Sequence, residues 1–259
     1  MTHDIDSYAA YQGRWRNLAL TREDGVLQMR LHTEGGPLLW GAREGSVHDQ
    51  LGRALRVIAR DRGNRVLLLT GSGGTFCAGM NMAELPPPEE ANPWMRLMRE
   101  GQELLMSLVD LDIPVIAAVD GPALVHAELA AMSDIVLASD RAVFADVAHL
   151  LGSVVPGDGA HVIWPMLLGP NRGRYFLLTG QHIAAKEALA LGIVNEVLAP
   201  DALMLRAWVL ARQLASLPQA TSRYSRIAMM QPFKRALLDG LGHGLALEGL
   251  ALAAMTRAE

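Results

Sequence analysis

The stretch PVIAAVDGPALVHAELAAMSDIVLAS, residues 114–139, decides the fold class. It opens on the apolar run VIAAV, stopped by Asp120 and Gly121, and closes on a second run, DIVLAS at 134–139. Short continuous apolar runs of this kind suit strands covered on both faces. Between them HAELAAM reads as a short helical stretch. Strand, helix and strand in this order predict right-handed βαβ units and an α/β core. Moving outward, RVLLLTG (65–71) repeats the buried-strand pattern, and VLQMRLH (26–32) alternates as a half-buried strand does. Ser46 is placed as the capping residue of SVHDQLGRALRVIAR (46–60), whose apolar residues fall at helical spacing. WMRLMREGQELLMSLVDL (94–111) predicts a second helix, ending before Pro114. After about Leu167 the pattern turns helical, through NRGRYFLLTG, AAKEALALG, DALMLRAWVLARQLASL and LLDGLGHGLALEGLALAAM. The expectation is a core over 1–199 and a helical C-terminal region over 200–259.

With 51% hydrophobic and 19% charged residues, the 259-residue chain has ample material for a packed core in one or two domains. It contains no run of about 18 uncharged apolar residues, so no membrane partner is expected. The opening MTHDIDSYAAYQGRW lacks the basic-then-apolar order of a signal peptide. The single cysteine, Cys77, cannot close an internal disulfide and fits a reducing, cytoplasmic setting. A formal net charge of -4 gives no reason to expect nucleic acid.

His126, His149 and Asp158 stand in a region otherwise dominated by Val, Ala, Leu and Ile. Such a background excludes an imidazole unless a partner offsets its lost hydration. His149 beside Asp158 is the minimum kit for a general base, the carboxylate fixing the tautomer and steadying the imidazolium. Each candidate also has a structural explanation. His149 suits a buried core histidine, Asp158 in PGDG a turn residue, Trp40 a core or interface aromatic, His126 a helix start and Glu248 a salt-bridged charge. His161, His182 and Asp146 are assigned no part. The histidine spacings are too long for a familiar metal motif, so no metal is expected. TGSGGTFCAG lacks the features of a P-loop or a dinucleotide turn. Cys77 has no base nearby in sequence and reads as a small buried hydrophobe. LPPPEEANP (85–93) reads as a surface loop, either a plain connector or a lid.

Four segments give the chain its resemblance: GTFCAGMNMAEL (74–85), PVIAAVDGPAL with AELAAMSDIVLAS (114–139), AVFADVAHLLGSVVPGDGA (142–160) and RYFLLTGQHIAAKEALALGIVNEVL (174–198). Together they resemble the crotonase (enoyl-CoA hydratase/isomerase) superfamily over nearly the whole length. The resemblance implies a spiral of ββα units, a helical C-terminal trimerisation region, and homotrimers or dimers of trimers. It also implies an enolate or similar oxyanion held by hydrogen-bond donors.

The chain departs from the usual members at the chemistry. The glycine-rich turn that lends them a backbone donor is here GPALVHAE, one residue shorter, with Val125, His126 and Ala127 in place of glycines. Glu128 stands where hydratases carry their first glutamate, but Ala148 stands at the second, and Trp40 replaces an Asn-Ala pair beside the CoA channel. These departures resemble the β-diketone hydrolase branch related to 6-oxocamphor hydrolase. HTEG followed by Trp40, the turn ending at His126, His149, VVPGDGAHV with Asp158, NRGRYFLLTG, and Glu248 in GLALEGLALAA all match it. The resemblance implies cofactor-free retro-Claisen hydrolysis of a small diketone, with no CoA. His149 and Asp158 then activate water, while His126, Trp40 and a backbone N–H near Met80 hold the enolate oxygen. Glu248 accepts a proton, orients water or attacks directly. Two alternatives remain: a hydratase or isomerase of a CoA thioester, and a non-catalytic binding protein of the same fold.

Overall fold

The computed structural model describes residues 7–86 and 93–255. Its central sheet has six strands. They are β1 (Leu18–Glu23), β2 (Val26–Leu31), β4 (Val66–Thr70), β6 (Val115–Val119), β8 (Ile135–Ser139) and β11 (Glu196–Leu198), in that spatial order. Only β1 pairs antiparallel, joined to β2 by a tight turn in which Asp24 and Gly25 both have positive φ. Such Asp-Gly turns match the twist of the flanking strands. The remaining neighbours are parallel. Two small sheets complete the spiral: β3 (Leu39–Trp40) with β5 (Gly79–Met80), and β7 (Pro122–Ala123) with β9 (Val143–Phe144) and β10 (Ile183–Ala184).

β4 and β6 are buried along their whole lengths, as their unbroken apolar runs require. Alternation sends their side chains into two separate cores. Leu67, Leu69, Val115 and Ala117 join the large core that also takes in helices Val47–Arg60 and Pro93–Asp110. Val66, Leu68, Ile116 and Ala118 face Leu203, Ala207 and Ala211 of helix Pro200–Ala215. Ser46 does occupy the N-cap of helix Val47–Arg60. Its hydroxyl, however, donates to Gly41 O at 2.8 Å instead of capping the helix. Most of the Pro-rich loop expected at 85–93 falls at 87–92, outside the described residues.

The 37-residue helix Gln219–Met255 is long and apolar enough to span a bilayer by length and composition alone. Here one stripe of it joins the core and the rest is exposed. Leu237, Leu241 and Leu245 are buried. Arg226 reaches the end of helix Pro93–Asp110, donating to Leu108 O and Val109 O, and pairs with Asp134 at 2.7 Å.

Two glycines set how this helix meets the rest of the chain. A Cβ on Gly157 would lie 2.2 Å from Gly244 O, and one on Gly244 would lie 2.2 Å from His161 Cε1. Their missing side chains let the loop carrying Asp158 pack directly on the helix that carries Glu248.

Candidate active site

Three backbone segments converge on the site. β3 carries Trp40, the turn after β7 carries His126, and the segment after β9 carries His149. The last two are zipped together: Ala145 N donates to Ala123 O and Val147 N to Leu124 O, each at 3.0 Å. His126 sits at φ 51, a left-handed conformation that favours glycine. It therefore keeps the backbone conformation of a glycine turn while adding an imidazole, and backbone strain of this kind clusters at functional sites.

His126 Nδ1 lies 2.7 Å from Glu128 Oε1 and 3.5 Å from Asp158 Oδ2. Asp158 Oδ1 lies 3.2 Å from His149 Nε2, close enough to pair but without an aligned hydrogen bond, so that oxygen retains acceptor capacity. Asp158 thus bridges two histidines contributed by different turns of the spiral. The other face of His149 is held by Asp146, both of whose oxygens lie 2.8 Å from Nδ1. The indole of Trp40 packs on the His126 ring with centroids 4.0 Å apart, and β3 pairs Trp40 with Met80 of β5.

Burial opposes charge on all of these groups, and the partners decide the outcome. Burial works against an imidazolium at His149, yet the Asp158 charge and the bond to Asp146 raise its pKa well above the ordinary value. His126 is raised in the same way, burial being outweighed by Glu128 and Asp158. Asp158 resists ionisation through burial, but His149 and His126 hold its carboxyl well below the usual range. Glu248 is the opposite case. Burial, reinforced by the Asp158 charge, pushes it up to about 8, so it is a neutral acid at pH 7. Its Oε2 is buried without a hydrogen-bond partner.

Asp146 and His48 were not anticipated as parts of the site. Asp146 stands three residues before His149, a spacing visible in the sequence but common by chance. His48 lies 6.4 Å from the His126 ring and 6.1 Å from Trp40 by ring centroids, with Nδ1 3.0 Å from Glu100. Glu100 is itself held by Arg96. Nothing local in SVHDQ points to that role. His161 lies outside this cluster, its ring between Pro156 O and Gly240 O, and His182 is exposed.

The ligand atoms of His126, Glu128 and Asp158 come within 4.8 Å of one another, a geometry open to a metal ion. The short His126–Glu128 contact already engages two of them with each other. Cys77 is buried and its thiol is pushed up to about 12 by that burial, which makes it a poor nucleophile.

Residues 21–247 match the enoyl-CoA hydratase/isomerase family model, and the chain belongs to that family, within the crotonase superfamily. One solved structure is far more alike than fold alone requires. A β-diketone hydrolase from the cyanobacterium Anabaena, bound to (S)-3-oxocyclohexyl acetic acid, is 41% identical, with a TM-score of 0.91 over 95% of this chain and 98% of that one. 1,2-Epoxyphenylacetyl-CoA isomerase of Escherichia coli is 32% identical over 76% of this chain and 75% of its own. Enoyl-CoA delta isomerase 2 of Homo sapiens is 28% identical over 82% of this chain, which spans only 54% of that longer protein.

Proposed function

We propose that this protein is a cofactor-independent hydrolase that cleaves the carbon–carbon bond between the two carbonyls of a cyclic or bicyclic β-diketone. The observation that carries this reading is Asp158 bridging His126 and His149 at the turn where a glycine amide would otherwise serve. The likeness to the β-diketone hydrolase supports it. The keto acid bound to that enzyme carries one carboxyl and one ring ketone, the two groups that hydrolysis of a bicyclic 1,3-diketone leaves.

In the proposed reaction, water adds to one carbonyl and gives its proton to the Asp158–His149 pair. Collapse of the adduct breaks the bond to the central carbon, whose electron pair becomes the enolate of the second carbonyl. His126, anchored through Nδ1 by Glu128, donates Nε2–H to that oxygen as an imidazolium, the form that Glu128 and Asp158 favour, beside the Trp40 indole N–H and a backbone N–H near Met80. Preorganised donors of this kind contribute most where charge develops. Glu248, neutral at pH 7, protonates the central carbon, and the proton that the Asp158–His149 pair took from water then restores it. Diketone and water become one keto acid.

The family relatives that act on CoA thioesters favour a second reading, hydratase or isomerase chemistry. Glu128 weighs against it, because its carboxylate is committed to His126. A screen of monocyclic and bicyclic 1,3-diketones beside crotonyl-CoA separates the two. Diketone cleavage without thioester turnover is expected. The reverse pattern would overturn the proposal.

A further inference from the structure

We propose that Asp146 is a positioning residue of this site: it takes the Nδ1 proton of His149 and so leaves Nε2 as the nitrogen that works beside Asp158. This assignment rests on the diketone hydrolase reading for its kinetic consequences, but not for its geometry.

A carboxylate only accepts hydrogen bonds. With both Asp146 oxygens 2.8 Å from His149 Nδ1, that nitrogen carries the proton, and neutral His149 keeps its lone pair on Nε2. Asp146 Oδ1 also accepts the backbone N–H of His149 at 3.2 Å, which ties the ring to its own main chain. The carboxylate is itself immobilised. It is 6% exposed, and the residues on either side of it are hydrogen-bonded to Ala123 and Leu124, three and two positions before His126. One backbone ladder therefore sets the distance between the two histidines, and Asp146 sets the orientation of one of them.

Asp158 does not fill this role. It faces the opposite nitrogen, shares itself with His126, and has no aligned hydrogen bond to His149. The division of labour is a fixed carboxylate behind the imidazole and a reactive one in front of it. The groups that face His149 are Asp146 from its own segment, Asp158 from the loop before helix Ala160–Leu168, His126 from the turn after β7, and Glu248 from the long helix.

The test is Asp146→Asn in the full chain, assayed with a cleaved 1,3-diketone. The amide can still accept the backbone N–H, but it no longer dictates the tautomer. The expected result is a fall in kcat of about 100-fold or more, with KM within about threefold of the parent. The pH–rate limb set by His149 should also move to lower pH, since a charge that favours the imidazolium is gone. A kcat within about twofold of the parent would overturn the proposal. So would a fall in kcat with that limb unmoved, since a purely structural role leaves His149's titration in place. Nitrogen-15 NMR of the unaltered protein gives an independent reading that needs neither a folded variant nor an active substrate. Nδ1 of His149 should stay protonated throughout the titration, with Nε2 gaining and losing the proton. A neutral ring with its proton on Nε2 would contradict the assignment whatever the protein hydrolyses.

Discussion

His126 combines a left-handed backbone, an anchored Nδ1 and a stacked indole, and each can be tested at the level of a single side chain. If His126 and Trp40 both donate to the enolate oxygen, losing either should slow cleavage more than it weakens binding. The oxygen bears full charge only as the bond breaks. His126→Ala is expected to lower kcat about 100-fold. Trp40→Phe keeps most of the ring while removing the N–H, so steady-state kinetics that match the parent would make the indole a wall rather than a donor.

Glu248 gives a prediction in pH. Its folded value of about 8 lies above its ordinary 4.5, so between these the folded state binds a proton that the unfolded chain releases. Stability therefore falls as pH rises through that window. His149 acts in the same direction: its contribution is fully present below its ordinary value and is lost as pH rises through the higher folded one. Glu248→Gln removes the first effect and keeps the second. Its melting temperature relative to the parent should rise between about pH 5 and about pH 9. A constant difference across that range would show that the buried acid is not the source.

At the scale of elements, the contact between the PGDG loop and the long helix holds Asp158 beside Glu248. Gly244→Ala would place a Cβ 2.2 Å from His161 Cε1 and 2.4 Å from Gly157 O, and neither the packed ring nor the backbone can yield cheaply. Overpacking of this kind costs about 1–3 kcal/mol. Denaturant unfolding should show that loss, and diketone turnover should fall with it although no catalytic group is touched. The strands around this contact were legible in the sequence. Val115–Val119 and Ile135–Ser139 announce themselves because a strand covered on both faces reads as a nearly continuous apolar run. His126, His149, Asp158 and Glu248 were also legible as candidates, being polar residues where apolar ones were expected, and the structure brings them together. Asp146 and His48 were not, because each becomes informative only through a partner: Asp146 through the ring of His149, and His48 through Glu100 on another helix. Sequence patterns report how an element is buried, not which side chains of separate elements meet.

At the scale of the molecule, large apolar side chains remain uncovered. Tyr224, Leu238 and Leu250 of the long helix are 64–70% exposed, and Leu205 and Leu178 on neighbouring helices are similarly open. Scattered apolar residues need no explanation, but several on the C-terminal helices suit a surface buried between subunits. A homotrimer, or a dimer of trimers, is therefore expected by sedimentation velocity at micromolar concentration, and a stable monomer would count against it.

The proposed hydrolysis is tested most directly by following one bicyclic 1,3-diketone in oxygen-18 water, with no CoA present. The expected product is a single keto acid formed in step with substrate loss, with one labelled oxygen in its carboxyl group, and His149→Ala should suppress its formation. Recovery of the intact diketone, together with turnover of crotonyl-CoA by the same preparation, would contradict it.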